Sequence, residues 1–212
     1  MQNSMNNIST IIFDLGNVIL NLDMSRTMKA MSRIMGIEST DYFSLSPFDD
    51  IFYGYEKGTL STSQFVDALY EKAAIKVTRD DIIDAWNALL LDIPEERVKV
   101  IEELSEHYRL FLLSNTSELH ADYFEKIVPG NRNFHSLFEK VYYSHIIGCR
   151  KPDERAFNIV LQENNLDASS TLFVDDRDDN IEAAKKLGFK TLHITDGMDI
   201  KDYFAENFKV KN

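Results

Sequence analysis

Hydrophobic positions along the chain fall into short continuous runs separated by longer stretches with helical spacing. Thr10-Ile11-Ile12-Phe13 ends at Asp14, and Leu110-Phe111-Leu112-Leu113 ends at Ser114-Asn115. Val141-Tyr142-Tyr143 ends at Ser144, Thr171-Leu172-Phe173-Val174 at Asp175-Asp176, and Thr191-Leu192-His193-Ile194 at Thr195-Asp196. Runs of this length without polar alternation predict strands covered on both faces, as in a parallel sheet.

Helices are predicted between the later runs. Pro94-Glu95-Glu96 opens one, with acids where the helix dipole favours them and Val98, Ile101, Leu104 and Tyr108 as its apolar stripe. Pro152-Asp153 opens a second, with Ala156, Phe157 and Val160 on one face. A third runs from Asn180 to Leu187 and stops at Gly188. Alternating strands and helices predict an α/β fold, a Rossmann-like parallel sheet built of right-handed crossovers.

One interval breaks the alternation. No strong strand pattern returns between Leu20 and Leu110. Met28, Met31, Ile34 and Met35 share one helical stripe, Phe65, Ala68 and Leu69 another, and Ile82, Trp86 and Leu89 a third. Ser61 with Gln64, and Thr78 with Asp81, have the spacing of capping boxes. The expected organisation is an α/β core from residues 1–20 and 93–212, with a small all-helical cap domain from residues 21–92. The polar first seven residues are expected to be disordered.

Composition narrows the partners. With 44% hydrophobic residues the chain is too apolar to be disordered. Acids outnumber bases 35 to 23, giving a formal charge of −12. Such a charge repels nucleic acid and anionic membranes, so neither is expected as a partner. The sole cysteine, Cys149, excludes an internal disulfide framework and reads as a free thiol in a reducing compartment. No basic-then-apolar start and no apolar run near the roughly 18 residues of a membrane span is seen, so a cytoplasmic protein is expected. An anionic substrate would then need positive charge supplied locally.

In open parallel sheets, ligands bind beyond the carboxyl ends of the strands. The residues there are Asp14, Ser114-Asn115, Lys151 after a short loop, and Asp175-Asp176. Three carboxylates suit a hard cation such as Mg²⁺, and a hydroxyl, an amide and an ammonium suit a phosphoryl group. Each has a plainer reading. Asp14 could be a turn residue, Lys151 a solvated charge, and Ser114-Asn115-Thr116 the cap of a following helix. The adjacent acids Asp175 and Asp176 weigh towards a site, because they repel unless a cation lies between them.

Taken in order, Phe13-Asp14-Leu15-Gly16-Asn17-Val18, Leu113-Ser114-Asn115-Thr116, Gly148-Cys149-Arg150-Lys151-Pro152-Asp153 and Phe173-Val174-Asp175-Asp176 with Asn180-Ile181-Glu182-Ala183-Ala184 resemble the four motifs of the haloacid dehalogenase (HAD) superfamily of hydrolases. The resemblance covers nearly the whole chain, and the helical insert matches the family's small cap. The stretch Tyr55-Glu56-Lys57-Gly58-Thr59-Leu60-Ser61 adds a likeness to the branch holding α-D-glucose-1-phosphate phosphatase and the N-terminal phosphatase domain of soluble epoxide hydrolase. The resemblance implies a Mg²⁺-dependent phosphatase for a small phosphorylated metabolite, such as a sugar phosphate. Asp14 would be the nucleophile forming an aspartyl-phosphate, and Lys151 would neutralise developing charge. Ser114 and Asn115 would bind the phosphoryl group. The metal would be held by Asp14, the Gly16 main-chain carbonyl, Asp176 and Asp175, with Asn180 behind them.

One position departs from the pattern. Family phosphatases usually carry an acid–base aspartate two residues after the nucleophile, and here that residue is Gly16. The preferred reading is a phosphatase for good leaving groups, with water or a nearby acid such as Asp23 supplying what remains. A metal-independent 2-haloacid dehalogenase also lacks that aspartate, although Asp-Leu-Gly-Asn-Val around Asp14 is unlike its tyrosine-glycine-threonine form. A non-catalytic binding protein is the third reading, opposed by the presence of Asp14, Ser114, Lys151 and Asp176. Tyr53, Tyr55 and Glu56 are cap candidates for substrate contact or for packing. His120 reads as a packing residue that could face the cleft, and Arg150 and Arg177 as surface-loop arginines.

Overall fold

The computed structural model describes residues 7–37, 48–195 and 197–207. Among these, β1 (Thr10–Phe13), β2 (Arg109–Ser114), β3 (Lys140–Tyr143), β4 (Thr171–Asp175) and β5 (Lys190–His193) form one parallel sheet in the order β3-β2-β1-β4-β5. Six of the seven N-terminal residues expected to be disordered, and Asp196, lie outside the described residues.

The continuous apolar runs behave as a doubly covered sheet requires. Ile11, Phe13, Leu110, Leu112, Leu172 and Val174 belong to one core, and Ile12, Phe111, Leu113 and Phe173 to another, as the two-residue period of a strand dictates. Helices α5 (Glu95–Ser105), α6 (Glu118–Phe124) and α10 (Ile200–Asn207) pack on the first face. Helices α8 (Glu154–Asn164) and α9 (Asp178–Lys186) pack on the second. Tyr108 and Leu89 lie just beyond the helices whose stripes were expected to contain them, but both still pack against the first core.

The order of strands positions the site. From central β1 the chain moves to β2 and β3 on one side, then returns to β4 on the other flank of β1. The carboxyl ends of β1 and β4 are therefore neighbours at the point where the winding reverses, where a crevice opens.

The insert between β1 and α5 comprises α1 (Met24–Ile34), α2 (Asp49–Glu56), α3 (Thr62–Lys72) and α4 (Arg79–Asn87) among the described residues. Its members bury their own cluster, including Met31, Tyr55, Phe65, Leu69, Ile82 and Trp86. Tyr55 stacks on Phe65 with ring centroids 4.1 Å apart, and Trp86 meets Phe65 edge-on at 4.8 Å. Both expected capping boxes form, Ser61 with Gln64 and Thr78 with Asp81. Helix α2 was not legible beforehand. Its sequence places Gly54 among aromatics, and only Tyr55 is fully buried, so no clean stripe announces it.

Hydrogen bonds tie insert to core. Trp86 Nε1 donates to Ser117 Oγ at 3.0 Å, and the main-chain N–H of Leu119 donates to the Tyr55 hydroxyl at 3.0 Å. Thr62 donates to Glu118, which leaves the Thr62 oxygen to accept from Tyr55 at 2.8 Å. No helix among the described residues is long and apolar enough to cross a membrane.

Candidate active site

Asp14 follows β1 directly, and its main-chain N–H continues the ladder by donating to Val174 O at 2.8 Å. That bond fixes Asp14 against the end of β4, where Asp175 and Asp176 emerge. The three carboxylates offer oxygen atoms all within 4.8 Å of one another.

Lys151 reaches them by a longer path. β3 lies on the far side of β2, so the chain after it must cross back over the end of β2. A single-turn helix, α7 (Ser144–Ile147), and left-handed Gly148 start that return. Asn115 completes it, accepting from Lys151 N at 2.9 Å and donating through Nδ2 to Lys151 O at 2.8 Å. The Lys151 ammonium then donates to Asp14 Oδ1 at 2.6 Å and to Asp175 Oδ2 at 2.7 Å, with only 1% of the residue exposed. Asn115, expected to help hold a phosphoryl group, spends its amide on the Lys151 backbone. Ser114 sits buried at the end of β2 and lines the cavity. Ser117 occupies the N-cap position of the helix after it, without a side-chain capping bond, so Ser114-Asn115-Thr116 do not serve as its cap.

Asp175 and Asp176 have different surroundings. Asp175 is fully buried and accepts from Lys151, from Arg177 N at 2.9 Å and from Asn180 Nδ2 at 3.0 and 3.1 Å. Asp176 is half-buried and accepts from Asn17 Nδ2 at 2.9 Å. Asn17 adopts φ 53°, a left-handed conformation that asparagine tolerates, and carries its amide across from the β1 loop. It lies inside the first motif, but nothing in the sequence distinguished it from a turn residue.

The cluster is electrostatically incomplete. Three carboxylates face one ammonium at low exposure, and unpaired buried charge is costly. Burial pushes the Asp14 carboxyl up to about 7 against the pull of Lys151, with Asp175 and Asp176 adding to the rise. Burial also raises Asp176. Burial alone would lower Lys151, but Asp14 and Asp175 together hold it above its ordinary value. The Oδ1 atom of Asn180 is buried beside them with no partner. Hard oxygen donors, excess negative charge and an orphaned amide oxygen fit a small divalent cation.

The carboxylates open into a cavity of about 310 Å³ roofed by the insert. Gly16, Tyr53, Glu56 and Arg150 line it. Arg150 is not a free surface-loop arginine: its guanidinium lies 3.3 Å from Glu56 and stacks 4.6 Å over the Tyr53 ring. Burial raises the Glu56 carboxyl, and Arg150 opposes the rise. Arg177 meets the surface reading only in part: its exposed side chain pairs with Asp179 at 2.8 Å, but the residue also lines the cavity and its charge opposes the rise at Glu56. Tyr55 is committed to packing. Asp23, considered as a spare acid, caps α1 through Ser25 and is not among the cavity residues. His120 combines both readings. It lines the cavity, stacks on Trp86 at 4.8 Å, and must carry its proton on Nε2 to donate to Trp86 O at 3.1 Å. Burial lowers it to about 4.

Residues 11–194 match the family model for haloacid dehalogenase-like hydrolases. The chain is 26% identical over 194 residues to D-ribitol-5-phosphate phosphatase of Bacteroides thetaiotaomicron, covering 91% of this chain and 94% of that protein. It also superposes on the HAD family enzyme BT-2542 of the same organism, solved in complex with magnesium and inorganic phosphate. The TM-score is 0.83 and the identity 31%, covering 93% of this chain and 99% of the other. The L-2-haloacid dehalogenase of Xanthobacter autotrophicus shares the fold alone, at 16% identity and a TM-score of 0.57, covering 88% of this chain and 77% of that one. With four motifs brought to one crevice and a family match across almost the whole chain, the protein belongs to the haloacid dehalogenase-like hydrolases.

Proposed function

We propose that this chain is a Mg²⁺-dependent phosphatase that hydrolyses a small sugar or polyol phosphate through an aspartyl-phosphate on Asp14. The observation that carries the reading is the buried cluster of Asp14, Asp175 and Asp176 around a single Lys151. The relatives named above support it, one a polyol-phosphate phosphatase and one seen with magnesium and phosphate. Residues 21–92 are proposed as the cap domain, with residues 1–20 and 93–212 as the core; the insert's separate apolar cluster supports that division. The finer likeness to the glucose-1-phosphate and epoxide hydrolase branch rests on the Tyr55–Ser61 stretch.

Asp14, Asp176 and the Gly16 carbonyl would hold the cation. When bound it cancels repulsion between the carboxylates and a dianionic phosphoryl group. Asp175 has all its capacity directed at Lys151, Arg177 and Asn180, so its proposed role is positioning. In the first step an Asp14 oxygen forms a bond to phosphorus as the bond to the ester oxygen breaks. Lys151 holds Asp14 Oδ1, which leaves Oδ2 without a side-chain partner among the described residues. The departing oxygen takes a proton from water, since position 16 provides none. In the second step water attacks phosphorus, releasing phosphate and returning Asp14 to a carboxylate. Ser114 is proposed to hydrogen-bond a phosphoryl oxygen.

The test is phosphate release over a panel of sugar, polyol and aryl phosphates with Mg²⁺. Turnover of several members is expected, with rates falling as leaving-group pKa rises. No turnover of any member would overturn the reading. A flat dependence on leaving group would remove only the idea that Gly16 leaves the site short of an acid.

A further inference from the structure

The Glu56–Arg150 pair is built unlike an ordinary ion pair. Glu56 ends α2 on the insert, and Arg150 belongs to the core loop that delivers Lys151. Arg150 Nη2 approaches Glu56 Oε2 to 3.3 Å without forming a hydrogen bond, and both Glu56 Oε2 and Arg150 Nε are buried without a hydrogen-bond partner. Both residues line the cavity that holds Asp14. Tyr53, one turn before Glu56, lies under the guanidinium at 4.6 Å and restrains its plane. Buried polar atoms rarely lack partners, and one acceptor beside one donor on a cavity wall calls for a group that can serve both.

We propose that Glu56 and Arg150 form a subsite that reads a hydroxyl of the leaving group, which donates a hydrogen bond to Glu56 while Arg150 donates one to its oxygen. A carboxylate alone would bind a cation as well, and a guanidinium alone an anion. Held together as a pair they present one acceptor and one donor with little net charge, which suits a neutral hydroxyl. The inference rests on the phosphatase reading and narrows it to hydroxylated leaving groups. Because the pair joins insert to core, a bound hydroxyl would also satisfy both sides of the closed cavity at once. A site that desolvates polar groups for a hydroxyl discriminates strongly against analogues lacking it.

The experiment compares kcat/KM for a pentitol phosphate and for an unbranched pentyl phosphate, in the parent and in the Glu56→Gln and Arg150→Met variants. The ratio within one preparation is insensitive to any misfolded fraction. The parent is expected to favour the pentitol ester by at least about tenfold, and each variant to lose most of that preference through KM for the pentitol ester. Equal use of both esters by the parent would overturn the inference. So would variants that lose activity on both esters equally, because that is the behaviour of a plain insert–core tether. If neither ester nor an aryl phosphate is turned over by the parent, the phosphatase reading itself has failed, and the subsite with it.

Discussion

At the scale of single residues, the chemistry is set by a buried count of charges and by one missing side chain. Asp14, Asp175 and Lys151 were legible because each stands where a continuous apolar run ends or where the third motif returns. What Asn115 and Arg150 do was not legible, because it depends on a loop crossing a neighbouring strand. A Cβ on Gly16 would meet Leu22 Cδ1 at 2.6 Å, the end of a flexible side chain, with Asp14 Oδ2 at 3.9 Å. An aspartate can therefore be accommodated if Leu22 moves. Gly16→Asp combined with Leu22→Ala is expected to flatten the dependence of rate on leaving-group pKa, with gains for alkyl esters of roughly 10-fold or more. A slope identical to the parent's would mean that another group already supplies the proton. His120 makes a separate prediction. Its folded value of about 4 lies below the ordinary 6.5 because burial disfavours the cation. Well above pH 6.5 the ring is neutral in both folded and unfolded chains. As pH falls towards 4, the unfolded chain takes up a proton that the folded chain refuses, so stability is lost. His120→Gln keeps an N–H donor for Trp86 O but not this titration. Denaturant unfolding of parent and variant between pH 7 and 4 should diverge by roughly 3 kcal/mol, the parent losing more. Parallel curves would contradict the assignment.

At the scale of elements, the doubly covered strands and the capped helices were readable because each leaves a local mark: an unbroken apolar run, or a capping residue at fixed spacing. The strand ladder from β2 through β1 to β4 then brings Asp14 beside Asp175 without any further information. Helix α2 left no such mark, yet it carries the side chains that meet the core across the cavity. Its docking depends on Tyr55, whose ring stacks in the insert while its hydroxyl satisfies Leu119 N at the start of α6. Removing that oxygen leaves the main-chain donor poorly paired but keeps the ring. Tyr55→Phe should therefore cost about 1–2 kcal/mol in chemical unfolding. It should also raise KM for phosphate esters, because insert and core lose one of their ties. A variant with parental stability and KM would show that Leu119 N finds another partner.

At the scale of the whole molecule, the formal charge of −12 argues against polyanionic partners, but it does not describe the site. There the strand order gathers three of the acids at one reversal point and buries a single lysine among them. The excess is local, and it fits a cation rather than repelling a ligand. The division into sheet and helical insert was visible in the spacing of apolar residues, and the four motifs identified the family. The joint wall contributed by α2 and the Lys151 loop was not visible, since residues nearly a hundred positions apart meet only after both units have folded. In the proposed function Asp14 does covalent chemistry with a divalent cation beside it. That chemistry is tested most directly by phosphate release from the best ester of the panel, using parent and Asp14→Asn, each with Mg²⁺ and with excess chelator. Turnover is expected only for the parent with Mg²⁺, restored when Mg²⁺ is added back after chelation, with a loss of roughly 10³-fold or more in Asp14→Asn. Comparable turnover by Asp14→Asn, or by the parent under chelator, would contradict that function.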